Sequence, residues 1–298
     1  MPRHQPPFTG IWPAMVTPFD ADDQLNLDAA RRLIARYLEQ GAGGIYLCGS
    51  TGEAPLLSID ERKRLAEFVI SEVAGQIPVI VQVGHGSPTA ALELARHARK
   101  CGADAISSIR PLFFPYGDAQ VADYWAGLSR EADLPFYAYV MTDIGGTYGQ
   151  IAAWFEQIRR IPTLAGVKFT NPDSYQLSVL RVVAGPGFNI FSGCDECYLA
   201  SKVSGADAAI GSSYNFALPL WRKVMTTYEA GDRAGAERLM LRCAELIARM
   251  RDSRYFTRLK LVLKRQGLDC GLPRPPLCDM AGITDEETDI IVRLASVE

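Results

Sequence analysis

Histidine is scarce in this 298-residue chain: only His4, His85 and His97 occur, too far apart in sequence to suggest a metal cluster. Long apolar runs are missing as well. No stretch approaches the roughly 18 uninterrupted apolar residues that a membrane helix needs, and the opening Met1-Pro-Arg-His-Gln-Pro-Pro7 has no apolar h-region of a signal peptide. The expectation is a cytoplasmic protein with no membrane partner. Charge of one sign is equally absent. The formal net charge of -3 is spread over both halves without a basic stripe, which removes electrostatic support for nucleic acid and leaves small molecules as the expected partners. The seven cysteines form no paired framework: their number is odd and they sit in apolar segments such as Ile45-Tyr-Leu-Cys48, as reduced core thiols do. Cys194-Asp-Glu-Cys197 is the exception. A CxxC can be redox-active or supply half of a zinc site, but no second CxxC or HxxxH accompanies it, so two small buried side chains are the simpler reading and no metal is expected.

What the chain does have is material for a large core. With 48% hydrophobic and 22% charged residues it is ordinary globular sequence, and its length suits either two domains or one barrel with an appendage. Short apolar runs bounded by Gly or Pro alternate with segments of helical period. The strand-like runs are Ile11–Pro18, Gly44–Cys48, Pro78–Val83, Ala105–Ile109, Pro135–Met141, Leu164–Thr170, Phe188–Ser192 and Asp207–Ser212. The helical segments are Leu27–Gln40, Asp60–Ala74, Pro88–Cys101, Ala119–Ala132, Tyr148–Ile161, Tyr175–Val183, Glu196–Val203 and Ala217–Ala230. Gly41, Gly75, Gly102, Gly185, Gly205 and Gly231 stand where left-handed helix stops belong, and Ser58-Ile-Asp-Glu61 reads as a capping box. Eight buried parallel strands with helical crossovers predict an α/β fold, a (β/α)8 TIM barrel over residues 1–231, although a doubly wound open sheet uses the same pattern. From residue 232 to 298 the strand signal stops. Asp232–Asp252, Arg254–Arg265 and Thr284–Val297 read as a helical extension, and the proline-rich Gly267–Pro276 as a helix-breaking connector.

Barrel chemistry sits where strands end and loops begin. Lys168 stands out there. It lies within Leu164-Ala-Gly-Val-Lys-Phe-Thr170, a strand that otherwise faces core, whereas the other six lysines fall in helical segments. A lysine amine must be neutral to attack a ketone, and burial penalises its ammonium form. The resulting iminium withdraws electrons from the adjacent carbon, as aldol cleavage requires. The competing reading is a stem that packs while its head snorkels to water or pairs with a carboxylate. After the second strand, Cys48-Gly-Ser-Thr-Gly-Glu-Ala54 can converge backbone N–H groups and the hydroxyls of Ser50 and Thr51 on a carboxylate. It matches no nucleotide fingerprint, and a capped glycine-rich turn is its bland alternative. Tyr139, on the same strand face as Tyr137, can shuttle a proton beside an iminium. Asp195 and Glu196 close the seventh strand, and Gly211-Ser-Ser-Tyr-Asn215 follows the eighth. Carboxylates and hydroxyls at strand ends suit a polyhydroxylated substrate, with helix capping by Asp195 as the alternative.

Taken together, these segments resemble the N-acetylneuraminate lyase and dihydrodipicolinate synthase family across almost the whole chain. Gly49-Ser-Thr-Gly-Glu53 is similar to its pyruvate-carboxylate motif and Gly166-Val-Lys-Phe-Thr170 to its Schiff-base strand, and the later segments are closer to the sialic acid lyase branch. The resemblance implies that Lys168 and Tyr139 are catalytic, that Ser50 and Thr51 bind the pyruvyl carboxylate, and that Thr170, Gly193, Asp195, Glu196 and Ser212 meet the sugar chain. It further implies a homotetramer. The activity it implies is reversible cleavage of a 2-keto-3-deoxy sugar acid, N-acetylneuraminate first, to pyruvate and a sugar-derived aldehyde. A sugar-acid dehydratase, another 2-keto acid aldolase and a catalytically idle keto-acid binder stand as alternatives. No cofactor is expected, because the lysine itself supplies the electron sink. Three departures mark this chain. Tyr139 is followed by Val-Met-Thr-Asp-Ile-Gly-Gly146 rather than Asn-Ile-Pro; Thr142–Thr147 lacks the arginine of the synthase branch; and Phe113 stands where many members carry a relay tyrosine.

Overall fold

The computed structural model describes residues 4–297; Met1–Arg3, part of the N-terminus read above, and Glu298 lie outside the described residues. Strands and helices alternate as β1 (Gly10–Pro13), α1 (Leu27–Glu39), β2 (Ile45–Leu47), α2 (Ile59–Val73), β3 (Val79–Gln82), α3 (Pro88–Cys101), β4 (Ala105–Ile109) and α4 (Asp118–Ala132). The second half repeats the rhythm with β5 (Phe136–Val140), α5 (Tyr148–Ile158), β6 (Leu164–Phe169), α6 (Ser174–Ala184), β7 (Asn189–Ser192), α7 (Tyr198–Val203), β8 (Ala208–Gly211) and α8 (Tyr214–Glu229). Every strand pairs in parallel with its sequence neighbour from β2 to β8, and β1 pairs with β8. Between β1 and β2, Met15 N–H donates to Tyr46 O and Gly43 N–H to Ile11 O, both at 2.9 Å. Those bonds close the ring, so the sheet is a (β/α)8 barrel and the open-sheet alternative falls.

Local signals account for most element ends. The six glycines expected at helix stops all have positive φ, and Ser58 and Glu61 form the reciprocal capping box at the start of α2. β1 is shorter than its apolar run. Ala14 and Met15 still bond the neighbouring strands, at Gly211 O and Tyr46 O, but from Val16 on the polar groups turn elsewhere: Val16 N–H donates to Asn215 Oδ1 at the start of α8 and the Thr17 hydroxyl to Gly52 O after β2. Met15 and Val16 stay buried nonetheless, so the run reports burial rather than strand. α8 begins earlier than its apolar period suggests and kinks at Ala217, two residues before Pro219, as a proline inside a helix requires.

Inside the barrel, Trp12, Tyr46, Ile80, Tyr137, Tyr139, Phe191 and Ile210 pack as one cluster. Phe8 seals its N-terminal end, with ring centroids 5.2 Å from Trp12 and 5.8 Å from Tyr137. The Asn189 side chain fixes that plug by bonding both the N–H and the C=O of Phe8. The barrel interior is thus filled at its N-terminal end, and strand-end residues are expected to act at the C-terminal end.

After α8 come α9 (Arg233–Met250), α10 (Tyr255–Arg265) and α11 (Asp285–Ala295). Their buried Cys243, Leu246, Met250, Leu259 and Leu263 join the same core as Trp221 and Val224 of α8. The connector after α10 returns to the barrel, where Phe19 N–H donates to Cys270 O at 3.0 Å. Among the described residues, no helix is long and apolar enough to cross a membrane.

Candidate active site

Period-two alternation along β6 turns Lys168 into the barrel, level with Tyr139 of β5 and Phe191 of β7. The side chain is only 6% exposed. Its Nζ lies 3.6 Å from the centroid of the Tyr139 ring and 5.0 Å from that of Tyr46, so aromatic faces rather than bulk water surround the amine. The snorkelling alternative does not hold. Burial pushes the Tyr139 phenol up, but the Lys168 charge and hydrogen bonding from Lys168 and Ser50 outweigh it and leave the phenol below its ordinary value. The base Tyr139 offers is therefore tied to the same amine that would attack a ketone.

The Ser50-Thr51 turn hangs over this pair. Cys48 and Glu53 both adopt left-handed backbone, which reverses the chain twice within one short loop. Glu53 N–H closes back on Ser50 O at 3.0 Å, and Gly52 O accepts the Thr17 hydroxyl. Thr51 is buried and Ser50 exposed. The Thr51 and Ser212 hydroxyls lie 2.7 Å apart, joining the loop after β2 to the end of β8.

The other strand ends fit around two glycines. A methyl group on Gly193 would meet Thr170 Oγ1 at 1.9 Å, so the bare backbone after β7 lets the Thr170 hydroxyl sit against it. That hydroxyl is buried and has no hydrogen-bond partner. A methyl on Gly211 would meet Asp195 Oδ1 at 1.8 Å. Asp195 is buried there, and its Oδ2 accepts the Ser213 N–H at 2.7 Å and the Ser213 hydroxyl at 2.6 Å. Burial raises the Asp195 carboxyl to about 6, although the Ser213 bonds pull it down. Glu196 is half-buried and pairs with Arg251 at 3.3 Å.

All nine sequence-predicted residues therefore lie at the C-terminal end of the barrel, but not in one shell. Lys168, Tyr139 and Ser50 act on one another; Thr170 packs against Gly193; Thr51 joins Ser212; Asp195 is bound to the backbone after β8, and Glu196 reaches toward the extension. Cys194 lies beside this site as a thiol that burial pushes up to about 12. No cluster of three or more His, Cys, Asp or Glu placed to hold a metal occurs among the described residues.

Three residues of the helical extension escaped the sequence reading. Tyr255, at the start of α10, has its phenol raised by burial and by the carboxylates of Asp195 and Glu196, while a hydrogen bond with Ser212 works the other way. Lys260 is buried, with its Nζ 2.7 Å from Glu53 Oε1. Arg274 donates its backbone N–H to Glu53 Oε2 at 2.8 Å. A signal for Lys260 existed. It interrupts the apolar run Leu259-Lys-Leu-Val-Leu263, much as Lys168 interrupts its strand.

Comparison with known proteins gives the family. The Dihydrodipicolinate synthetase family model matches residues 7–295. The N-acetylneuraminate lyase of Lactiplantibacillus plantarum is 34% identical over 271 residues, covering 90% of this chain and 91% of that protein. That of Salmonella paratyphi B is 33% identical, with 85% of each chain covered. Among solved structures, the sialic acid aldolase of Ruminococcus gnavus superposes with a TM-score of 0.88 at 28% identity in its wild-type form, covering 97% of this chain and 96% of that one. It is also known as a catalytic lysine mutant, with the same TM-score and identity. Proteus mirabilis N-acetylneuraminate lyase gives a TM-score of 0.86 at 29% identity, covering 96% and 97% of the two chains. With a match that takes in both the barrel and the extension, this chain belongs to the dihydrodipicolinate synthetase family.

Proposed function

We propose that the protein is a class I, Schiff-base-forming lyase that reversibly cleaves a 2-keto-3-deoxy sugar acid, N-acetylneuraminate above others, to pyruvate and an aldehyde. The observation that carries this is the buried Lys168 amine, held against Tyr139 at the C-terminal end of the barrel. The kinship with N-acetylneuraminate lyases and with an aldolase that has a catalytic lysine supports the substrate.

In this mechanism Nζ of Lys168 attacks the C2 ketone, and loss of water from the carbinolamine leaves an iminium. Ser50 and Thr51 hold the neighbouring carboxylate with hydroxyl and backbone donors. Tyr139, as phenolate, takes the proton from the C4 hydroxyl while the C3–C4 bond breaks. The electron pair enters the iminium to give an enamine, and the aldehyde departs. Protonation at C3 and hydrolysis then release pyruvate and free Lys168. Thr170, Gly193, Asp195, Glu196 and Ser212 meet the sugar's polar chain; the unpartnered Thr170 hydroxyl supports such a contact. The enzyme works in the cytoplasm as a homotetramer. Exposed Leu112, Phe113 and Phe114 after β4 support the assembly, and buried thiols such as Cys48 and Cys243 support the compartment.

The test is borohydride reduction in the presence of pyruvate, followed by mass measurement and peptide mapping. One pyruvate-derived adduct on Lys168 is expected, with none on Lys168→Ala. An adduct that survives that substitution removes the mechanism.

A further inference from the structure

Lys260 sits on a helix of the extension, yet its ammonium is 1% exposed and its partner, the Glu53 carboxylate, is fully buried. Such a pair is costly to desolvate and is weak evidence for stability in itself, so its place in the molecule is informative. Glu53 is the last residue of the Gly49-Ser-Thr-Gly-Glu53 turn. It is a non-glycine residue in left-handed backbone, φ 57°, a conformation that persists where surroundings impose it. Those surroundings come from the extension. Lys260 Nζ meets Oε1 at 2.7 Å, and Arg274 N–H donates to Oε2 at 2.8 Å. Lys260 also donates to Leu272 O at 3.2 Å.

The same grip is anchored on the barrel side. The Lys260 ammonium and the Arg274 guanidinium both lie 4.4 Å from the centroid of the Phe19 ring. The Arg274 guanidinium donates to Leu56 O and Glu61, just beyond the turn, and to Asp23. Burial pulls the Lys260 ammonium below its ordinary value and Glu53 pulls it back up. The extension thus holds the Glu53 end of the turn through two residues, Lys260 and Arg274.

We propose that Lys260 is a positioning residue for keto-acid binding: through Glu53 it sets the backbone of the Ser50-Thr51 turn, so the extension completes the carboxylate cradle. This rests on the assignment of that turn to the pyruvyl carboxylate. A pair with only a structural role would lower the melting temperature of its variants without moving pyruvate affinity. Positioning predicts a KM effect instead, because a small displacement of donors costs binding of the anion they face.

The experiment measures the pyruvate concentration that half-saturates borohydride-trapped adduct formation in the intact chain. It compares the parent, Lys260→Met, the double variant Glu53→Gln/Lys260→Met, and Thr51→Val. For both Lys260 variants the half-saturating concentration rises about tenfold, while kcat at saturating sugar acid stays within about twofold and saturating pyruvate still labels Lys168. The double variant removes the charge that Lys260→Met alone would strand, and it carries the test if the single variant does not fold. If Thr51→Val weakens pyruvate binding but both Lys260 variants keep the parental value, the positioning role is overturned. If Thr51→Val itself leaves pyruvate binding unchanged, the cradle assignment fails first and Lys260 loses its role with it.

Discussion

Nζ of Lys168 stands 3.6 Å from the centre of the Tyr139 ring, on strands whose register makes the two residues neighbours. The contact sets the Lys168 amine beside a phenol whose proton that amine's charge helps to release. In the proposed mechanism, acid–base work and Schiff-base formation would fall to these two adjacent strands.

Tyr139→Phe keeps the ring against Lys168 and removes only the phenol. Turnover of the sugar acid is expected to fall by about 10²- to 10⁴-fold, while pyruvate still forms a reducible adduct on Lys168. The parent's kcat/KM should rise with pH as the phenolate forms, below the ordinary tyrosine range of about 10, because the phenol is lowered. In the variant that rise disappears. Retention of both turnover and the pH arm would remove Tyr139 from proton transfer.

Gly193→Ala asks whether Thr170 must sit where it does. The added methyl would lie 1.9 Å from Thr170 Oγ1 and 2.9 Å from its Cβ, so the threonine or the strand end must move. Overpacking of this kind costs about 1–3 kcal/mol, read as a lower melting temperature. The sugar-acid KM should rise while half-saturation by pyruvate stays near the parental value, since Thr170 and Gly193 are assigned to the sugar and the Ser50-Thr51 turn to the carboxylate. Equal losses for both ligands would mean that Thr170 and the turn are not separable.

The barrel was legible because most strands and helices carry their own period or stop signals, as the match at Pro88–Cys101 and Ala105–Ile109 illustrates. Lys168, Tyr139 and the Ser50-Thr51 turn were legible because polar chemistry at the end of an apolar strand is conspicuous. The first strand was overread, since from Val16 on the chain is buried against the start of α8 and the loop after β2 rather than paired in the ladder. Lys260, Arg274 and Tyr255 were missed for another reason: they lie more than 85 residues beyond Lys168, and nothing local shows that a helix after the barrel folds back onto the loop after β2. Long-range ion pairs have no periodicity to read.

Tyr255→Phe separates the two halves of the site. The phenol is close to the carboxylates of Asp195 and Glu196 and to Ser212, all on the side assigned to the sugar. Loss of one neutral hydrogen bond is expected to raise the sugar-acid KM by about three- to tenfold. Pyruvate half-saturation should be unchanged. Initial-rate kinetics of cleavage, set beside trapping with pyruvate alone, decide it; a rise confined to pyruvate would place the phenol on the wrong side.

Asp195 gives a pH prediction with a definite sign. Its carboxyl is raised to about 6 in the folded protein, chiefly by burial, against about 3.9 in an unfolded chain. Between those values the folded state holds a proton that the unfolded state has lost, so stability falls as pH rises. About one unit of that shift, roughly 1.4 kcal/mol, is expressed between pH 5 and pH 7.5. In Asp195→Asn the amide oxygen can still accept from the Ser213 N–H and hydroxyl that Oδ2 now binds, but no proton is exchanged. The melting temperature of the parent should therefore decline relative to Asp195→Asn across that interval, and the gap should shift in the variant's favour at neutral pH. A gap that is constant with pH would mean that the carboxylate is not paying for burial, and that water or a neighbouring cation neutralises it in solution.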